Sequence, residues 1–155
     1  MSAFANILVP FDESDAARRA VDAAVSIAPD GAVITLLQAA DRPLTVDPTV
    51  AAAERRAGVY SEDEMVRAIE DCQDAIRARL EVVASEATAG SAKSLQMRCE
   101  AIEGSPATVI TDYAKANDVD LIVMGRRGLG SVRAMLGSVS QRVAHETDLP
   151  LLLVK

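Results

Sequence analysis

Leu121-Ile122-Val123-Met124 runs straight into Gly125-Arg126-Arg127-Gly128-Leu129-Gly130, and the reading of this junction settles the fold class. A short apolar run ending in glycines reads as a strand buried on both faces that empties into a loop. Eight residues separate Gly128 from Gly137-Ser138, which open a helix-like stretch reaching His145. The chain then closes on one more apolar run, Leu151-Leu152-Leu153-Val154. Backbone N–H groups of a glycine loop and of a helix start can point at an anion, and the missing side chains let it come close. Nucleotide binding is therefore the leading expectation.

Upstream, strands and helices alternate. Asn6-Ile7-Leu8-Val9-Pro10 reads as a buried strand, followed by the turn Phe11-Asp12-Glu13-Ser14. Ala17, Ala20, Val21, Ala24, Val25 and Ala28 then recur at helical spacing until Pro29-Asp30-Gly31 turns the chain. Val33 to Leu37 is a second apolar strand, and a loop is expected across residues 41–60. Ser61 with Glu64 is a capping-box signature. The helix it starts carries Met65, Ile69, Cys72, Ile76, Leu80, Val83 and Ala87 along one face, and Gly90 ends it. Leu95, Met97, Cys99 and Ala101 alternate with polar residues, the period of a half-buried strand. Ser105-Pro106 caps and opens a third helix, with proline at the first position.

This β-α alternation predicts one α/β domain over residues 1–155: a doubly wound, Rossmann-like parallel sheet of five strands with four main helices on both faces. Strand three alternates and belongs at an edge, while strands one, two and four are apolar on both faces and belong in the middle. The order 3-2-1-4-5 satisfies this. Its switch point lies between strands one and four, so the ligand crevice falls at Pro10-Asp12 and Gly125-Gly130. Strand five is then an apolar edge, an aggregation hazard unless covered, and a two-fold dimer through Leu151-Val154 is expected.

Composition narrows the partners. The chain has 155 residues, a formal charge of −7, two Tyr, two Phe and no Trp. Such a charge opposes a nucleic-acid partner, and so few aromatics leave no platform for stacking bases. Arg126-Arg127 suits a single nucleotide rather than a polymer. No apolar run approaches the ~20 residues of a spanning helix, and no signal peptide is read, so no membrane partner and a cytoplasmic setting are expected. Cys72 and Cys99 form neither a redox nor a zinc pattern and read as buried, reduced thiols.

With these elements in order, the chain resembles the universal stress protein family, in its nucleotide-binding type. The resemblance spans essentially the whole length. It rests on Ile7-Leu8-Val9-Pro10-Phe11-Asp12-Glu13-Ser14, on Asp120 to Gly125, on Gly125-x2-Gly128-x8-Gly137-Ser138-Val139-Ser140, and on Leu149-Pro150 to Val154. It implies ATP binding and a dimer joined through the last strand. By the same resemblance Pro10 and Ala39 border the adenine, and Met124 and Gly125 lie beside the adenosine. Asp12 lies near the ribose or phosphates and is the residue offered to Mg²⁺. Gly128, Gly137, Ser138, Val139 and Ser140 wrap the phosphates. Apart from the resemblance, Arg126 and Arg127 can be an ordinary solvated pair, and one of them, Arg127, is expected at the phosphates.

The chain departs from the family pattern in three places. The gap between Gly128 and Gly137 is one residue shorter than usual, Glu13 stands where glycine is common, and Gln38-Ala39 replaces a frequent His-Val. A Glu13 facing the phosphates would oppose ATP unless a metal, Arg126 or Arg127 compensated.

Each residue also has a plainer reading. Gly125 and Gly128 can serve a tight turn with positive φ, Ser138 and Ser14 can be N-caps, Asp12 can be a turn residue, and His145 can sit at a helix C-terminus. No Walker A, GxGxxG or GxSxG motif is present. The expected function is thus an ATP-binding regulatory or stress-response protein with slow or no turnover. The alternatives are a dimeric interaction module that binds no nucleotide, a receptor for AMP or cyclic AMP, and a flavodoxin-like redox protein.

Overall fold

Five parallel strands form one sheet in the order β3-β2-β1-β4-β5, the order expected. They are β1 Asn6–Pro10, β2 Val33–Ala40, β3 Gln96–Glu103, β4 Leu121–Gly125 and β5 Leu151–Val154. The computed structural model describes residues 4–40, 56–58, 61–127 and 136–155. Between the strands run the helices α1 Asp15–Ile27, α2 Glu62–Thr88, α3 Pro106–Ala116 and α4 Ser138–Glu146.

The strands' side chains alternate between two cores, one on each sheet face. Ile7, Val9, Ile34, Leu36, Leu121 and Val123 pack with Ala17, Ala20, Val21 and Ala24 of α1 and Ile76, Leu80 and Ala84 of α2. Leu8, Leu37, Ile122 and Met124 pack on the other face with Ala107, Ile110 and Ala114 of α3 and Val143 of α4. Ile7, Leu8, Val9, Ile122 and Val123 are fully withdrawn from water, which is why β1 and β4 hold the centre. Alanine dominates the inner face of α1, so that helix lies close to the sheet.

Sequence and structure differ in detail. β2 continues to Ala40 rather than ending at Leu37, because β3 pairs with it along its length, from Val33 opposite Gln96 to Ala40 opposite Glu103. Ser105 occupies the N-cap of α3, but its hydroxyl makes no capping bond. Gly137, not Ser138, is the N-cap of α4, since its carbonyl already accepts from Gln141 N. Cys72 on α2 and Cys99 on the edge strand β3 are free but only half-buried. Burial, with Glu81 and Glu100 nearby, pushes the Cys99 thiol up. The expected loop over residues 41–60 falls largely outside the described residues, and so does Gly128.

Candidate functional site

The turn after β1 is built from its own side chains. Phe11 N donates to Leu37 O at 2.9 Å, carrying the β1–β2 pairing one residue past the strand. Asp12 Oδ1 accepts from Ser14 N at 3.1 Å and from the Ser14 hydroxyl. That hydroxyl in turn accepts from Ala17 N at 3.1 Å, capping α1. Ser14 is therefore the cap its position suggested, and Asp12 orients it.

Glu13, between them, takes the left-handed conformation at φ 66, the backbone state that glycine adopts without cost. Its carboxylate lies 3.5 Å from Arg79 Nη2 on α2 and does not line the cleft described below. Its charge is directed away from the place where phosphates are expected.

Across the crevice, one hydrogen bond ties the end of β4 to β5 and two pin the start of α4 to it. Arg126 N donates to Val154 O at 2.7 Å, and Gly137 N donates to Arg126 O at 3.0 Å. The Ser140 hydroxyl, buried, donates to Gly125 O at 2.9 Å. Gly125 does not have positive φ; a Cβ there would sit 2.9 Å from Ala16 Cβ and 3.0 Å from the Ala16 carbonyl carbon. Its small size thus serves the close approach of α1 to β4 rather than a turn. No side chain caps α4, so the N–H groups of Ser138, Val139 and Ser140 precede its first intrahelical bond.

Between these two ends lies a cleft of about 430 Å³, within the range of small-molecule sites, roughly 300–1,000 Å³. Pro10, Asp12, Ala39, Met124, Gly125, Arg127, Gly137, Ser138, Val139 and Ser140 all line it. Of the residues expected at the site, Gly128 alone lies outside the described residues. The β2 and α3 side of the cleft is mainly apolar, through Leu37, Ala39 and Ile110, with Gln38 among them, its Oε1 buried without a donor among the described residues; the β4 side presents the uncapped α4 and Arg127, whose Nε is buried with no acceptor among the described residues.

Pro106 and Ile110 of α3 form a wall that residue-by-residue reading missed. The signal was available: a right-handed β3-α3-β4 crossover must start α3 at the carboxyl end of the sheet, beside the switch point. Arg126, the other half of the pair, does not line this cleft. His145 is exposed in the last turn of α4, away from it, as its plainer reading held. Among the described residues no cluster of three or more metal-binding side chains occurs, and no helix is long and apolar enough to cross a membrane.

The same fold recurs in known proteins. The sequence matches the profile of the Universal stress protein family over residues 3–155. Universal stress protein YxiE of Bacillus subtilis (strain 168) is 28% identical over 154 residues, which are 98% of this chain and 99% of that protein. Universal stress protein UspA from Lactobacillus plantarum is 30% identical and superposes with a TM-score of 0.64, covering 98% of each chain. A universal stress protein solved in complex with cAMP is 27% identical, with a TM-score of 0.64, over 99% of this chain and 98% of its own. A profile match over nearly the whole length, on top of the shared sheet order, leaves one assignment: this chain belongs to the universal stress protein family.

Proposed function

We propose that the cleft binds an adenine nucleotide, ATP foremost, and that the protein is a regulatory or stress-response binder rather than a fast enzyme. The observation that carries this reading is the cleft's polarity. An apolar wall of Pro10, Leu37, Ala39, Ile110 and Met124 suits a purine, and the opposite end offers an uncapped helix start and the buried Arg127 Nε to phosphates. The family and the cAMP complex of a relative support it. In this reading Pro10, Ala39, Met124 and Gly125 flank the adenosine. Gly128, Gly137, Ser138 and Val139 surround the phosphates, with Ser140 holding the helix start in place.

Asp12 is the one carboxylate on the cleft wall among the described residues. That suits Mg²⁺ held by one carboxylate and the ligand's own phosphates, the usual manner for this ion. Fast hydrolysis needs a positioned base and charge stabilisation on the terminal phosphate. Asp12, already bonded to Ser14, is a weak base for that purpose. Slow or no turnover follows. A cytoplasmic setting belongs to the same reading, as both thiols are free.

A second reading, a receptor for AMP or cyclic AMP, is favoured by the relative's cAMP complex. Released nucleotide from the purified, heat-denatured protein identifies the resident ligand, and competition of ATP against AMP and cAMP ranks the three. ATP at a hundred times its dissociation constant should add ~2.7 kcal/mol, a melting shift of roughly 5–10 °C for a chain of this length. Arg127→Gln should remove most of that shift. A protein that carries no nucleotide and ignores all three ligands would sink both readings.

The dimer is part of the proposal. β5 is the sheet edge, and Leu152 on it is 38% exposed. Pairing with the same strand of a second copy would cover both the leucine and the open backbone edge. Sedimentation at micromolar concentration checks it, and a monomer would refute it. The charge of −7 disfavours nucleic acid as a further partner.

A further inference from the structure

Arg126 and Arg127 part company at the end of β4. Arg127 reaches the nucleotide cleft, but both side chains also line a second, smaller pocket on the other side of the loop, between α1 and the end of β5. Its walls are Ala16, Arg19, Arg126, Arg127, Val154 and Lys155, so four of its six lining residues are cationic in a protein of net charge −7.

No side-chain ion pair described involves them. The ion pairs among the described residues are Arg77–Asp74, Arg79–Glu13 and Arg142–Glu146, and none touches this pocket. Asp15 and Asp22, one turn to either side of Arg19 on α1, form no ion pair with it. The Nε atoms of Arg126 and Arg127 are both buried without an acceptor among the described residues. Buried donors of this kind are normally satisfied, and each calls for a partner.

The scaffold around them is fixed. Arg126 N is bonded to Val154 O and its carbonyl accepts from Gly137 N, while Arg19 Nε donates to Lys155 O at the pocket's edge. The pocket's volume is about 90 Å³, the room of about three waters at roughly 30 Å³ each. That is space for one compact anion and not for a nucleotide.

From these observations we propose a second ligand site, specific for a free tetrahedral oxyanion of the phosphate class, held by Arg19, Arg126 and Lys155. Guanidinium groups bind such anions through charge-assisted hydrogen bonds, and the unsatisfied Arg126 Nε–H is placed to supply one. The site stands apart from the nucleotide reading, because Arg19 and Arg126 do not line the cleft.

Titrating the full chain with inorganic phosphate at constant ionic strength, followed by calorimetry, tests it. One saturable site is expected, weakened at least tenfold by Arg126→Met and by Arg19→Met and unchanged by Arg142→Met, a distant control. Arg19 is exposed on α1, so its substitution leaves a folded protein if Arg126→Met does not. ATP binding by Arg19→Met should equal that of the parent, which keeps the two sites experimentally separate. Absence of a saturable phosphate signal overturns the proposal. Phosphate binding that survives both substitutions and is displaced by ATP overturns it too, since the anion then sits in the nucleotide cleft. A phosphomonoester that binds as tightly as phosphate overturns the restriction to a free anion.

Discussion

Gly125 and Ala16 meet so closely that a Cβ on the glycine would lie 2.9 Å from the Cβ of the alanine, nearer than side chains pack. The same Cβ would stand 3.0 Å from the Ala16 carbonyl carbon and 3.2 Å from Ala17 N, so backbone would have to move. Gly125→Ala is therefore expected to destabilise the protein by about 1–3 kcal/mol, the usual cost of overpacking a core. Urea unfolding measures it. A loss below a few tenths would mean that α1 and β4 are not in this contact.

The two serines at the start of α4 should behave oppositely. Ser140 is buried and its hydroxyl satisfies Gly125 O, so Ser140→Ala should cost about 1–3 kcal/mol by leaving that carbonyl unpaired. Ser138 is exposed, and Ser138→Ala should change stability by less than about 0.5 kcal/mol. Under the proposed function Ser138→Ala should weaken nucleotide binding all the same. Parallel melting curves with and without ATP separate the two effects; equal stability losses would contradict the assignment.

Lys93 closes a helix that is remote in sequence. Its ammonium donates to the carbonyls of Val25, Ser26 and Ala28 at 3.1, 2.6 and 2.8 Å, at the end of α1, where no basic residue of the helix itself stands. A cation there satisfies carbonyls and opposes the negative end of the helix dipole. Lys93→Met should cost about 1–2 kcal/mol, and amide exchange should rise in the last turn of α1. Unchanged exchange there would show that the lysine contributes nothing.

The capping box of α2 should be acid-sensitive. Glu64 accepts from Ser61 N at 2.7 Å and from the Ser61 hydroxyl at 3.0 Å, and these bonds hold its carboxyl below the ordinary carboxylate value. Because the folded-state pKa is depressed, the stabilising contribution is complete above the ordinary value and is lost as pH falls through the folded one. The Ser61 amide resonance should therefore titrate below an unperturbed Glu. Titration at the unperturbed value, or no response in the amide, would rule the box out in solution.

Much of the architecture is legible in the sequence. Helical spacing from Ala17 to Ala28, alternation from Leu95 to Ala101, and unbroken apolar runs in β1 and β4 are local signals, and they rank strands by how many faces they bury. That ranking led to the order 3-2-1-4-5 and so to the crevice between Pro10 and Gly125. Signals of this kind survive because backbone geometry and water avoidance act within a few residues.

The remaining features depend on which surfaces the folded chain presses together. That Gly125 is small for Ala16, that Ser140 serves Gly125, that Lys93 ends α1, and that Arg19 and Arg126 line one pocket are relations between distant segments. Their strength is set by helix depth on the sheet and by the distance left between side chains. No periodicity along the chain encodes those lengths.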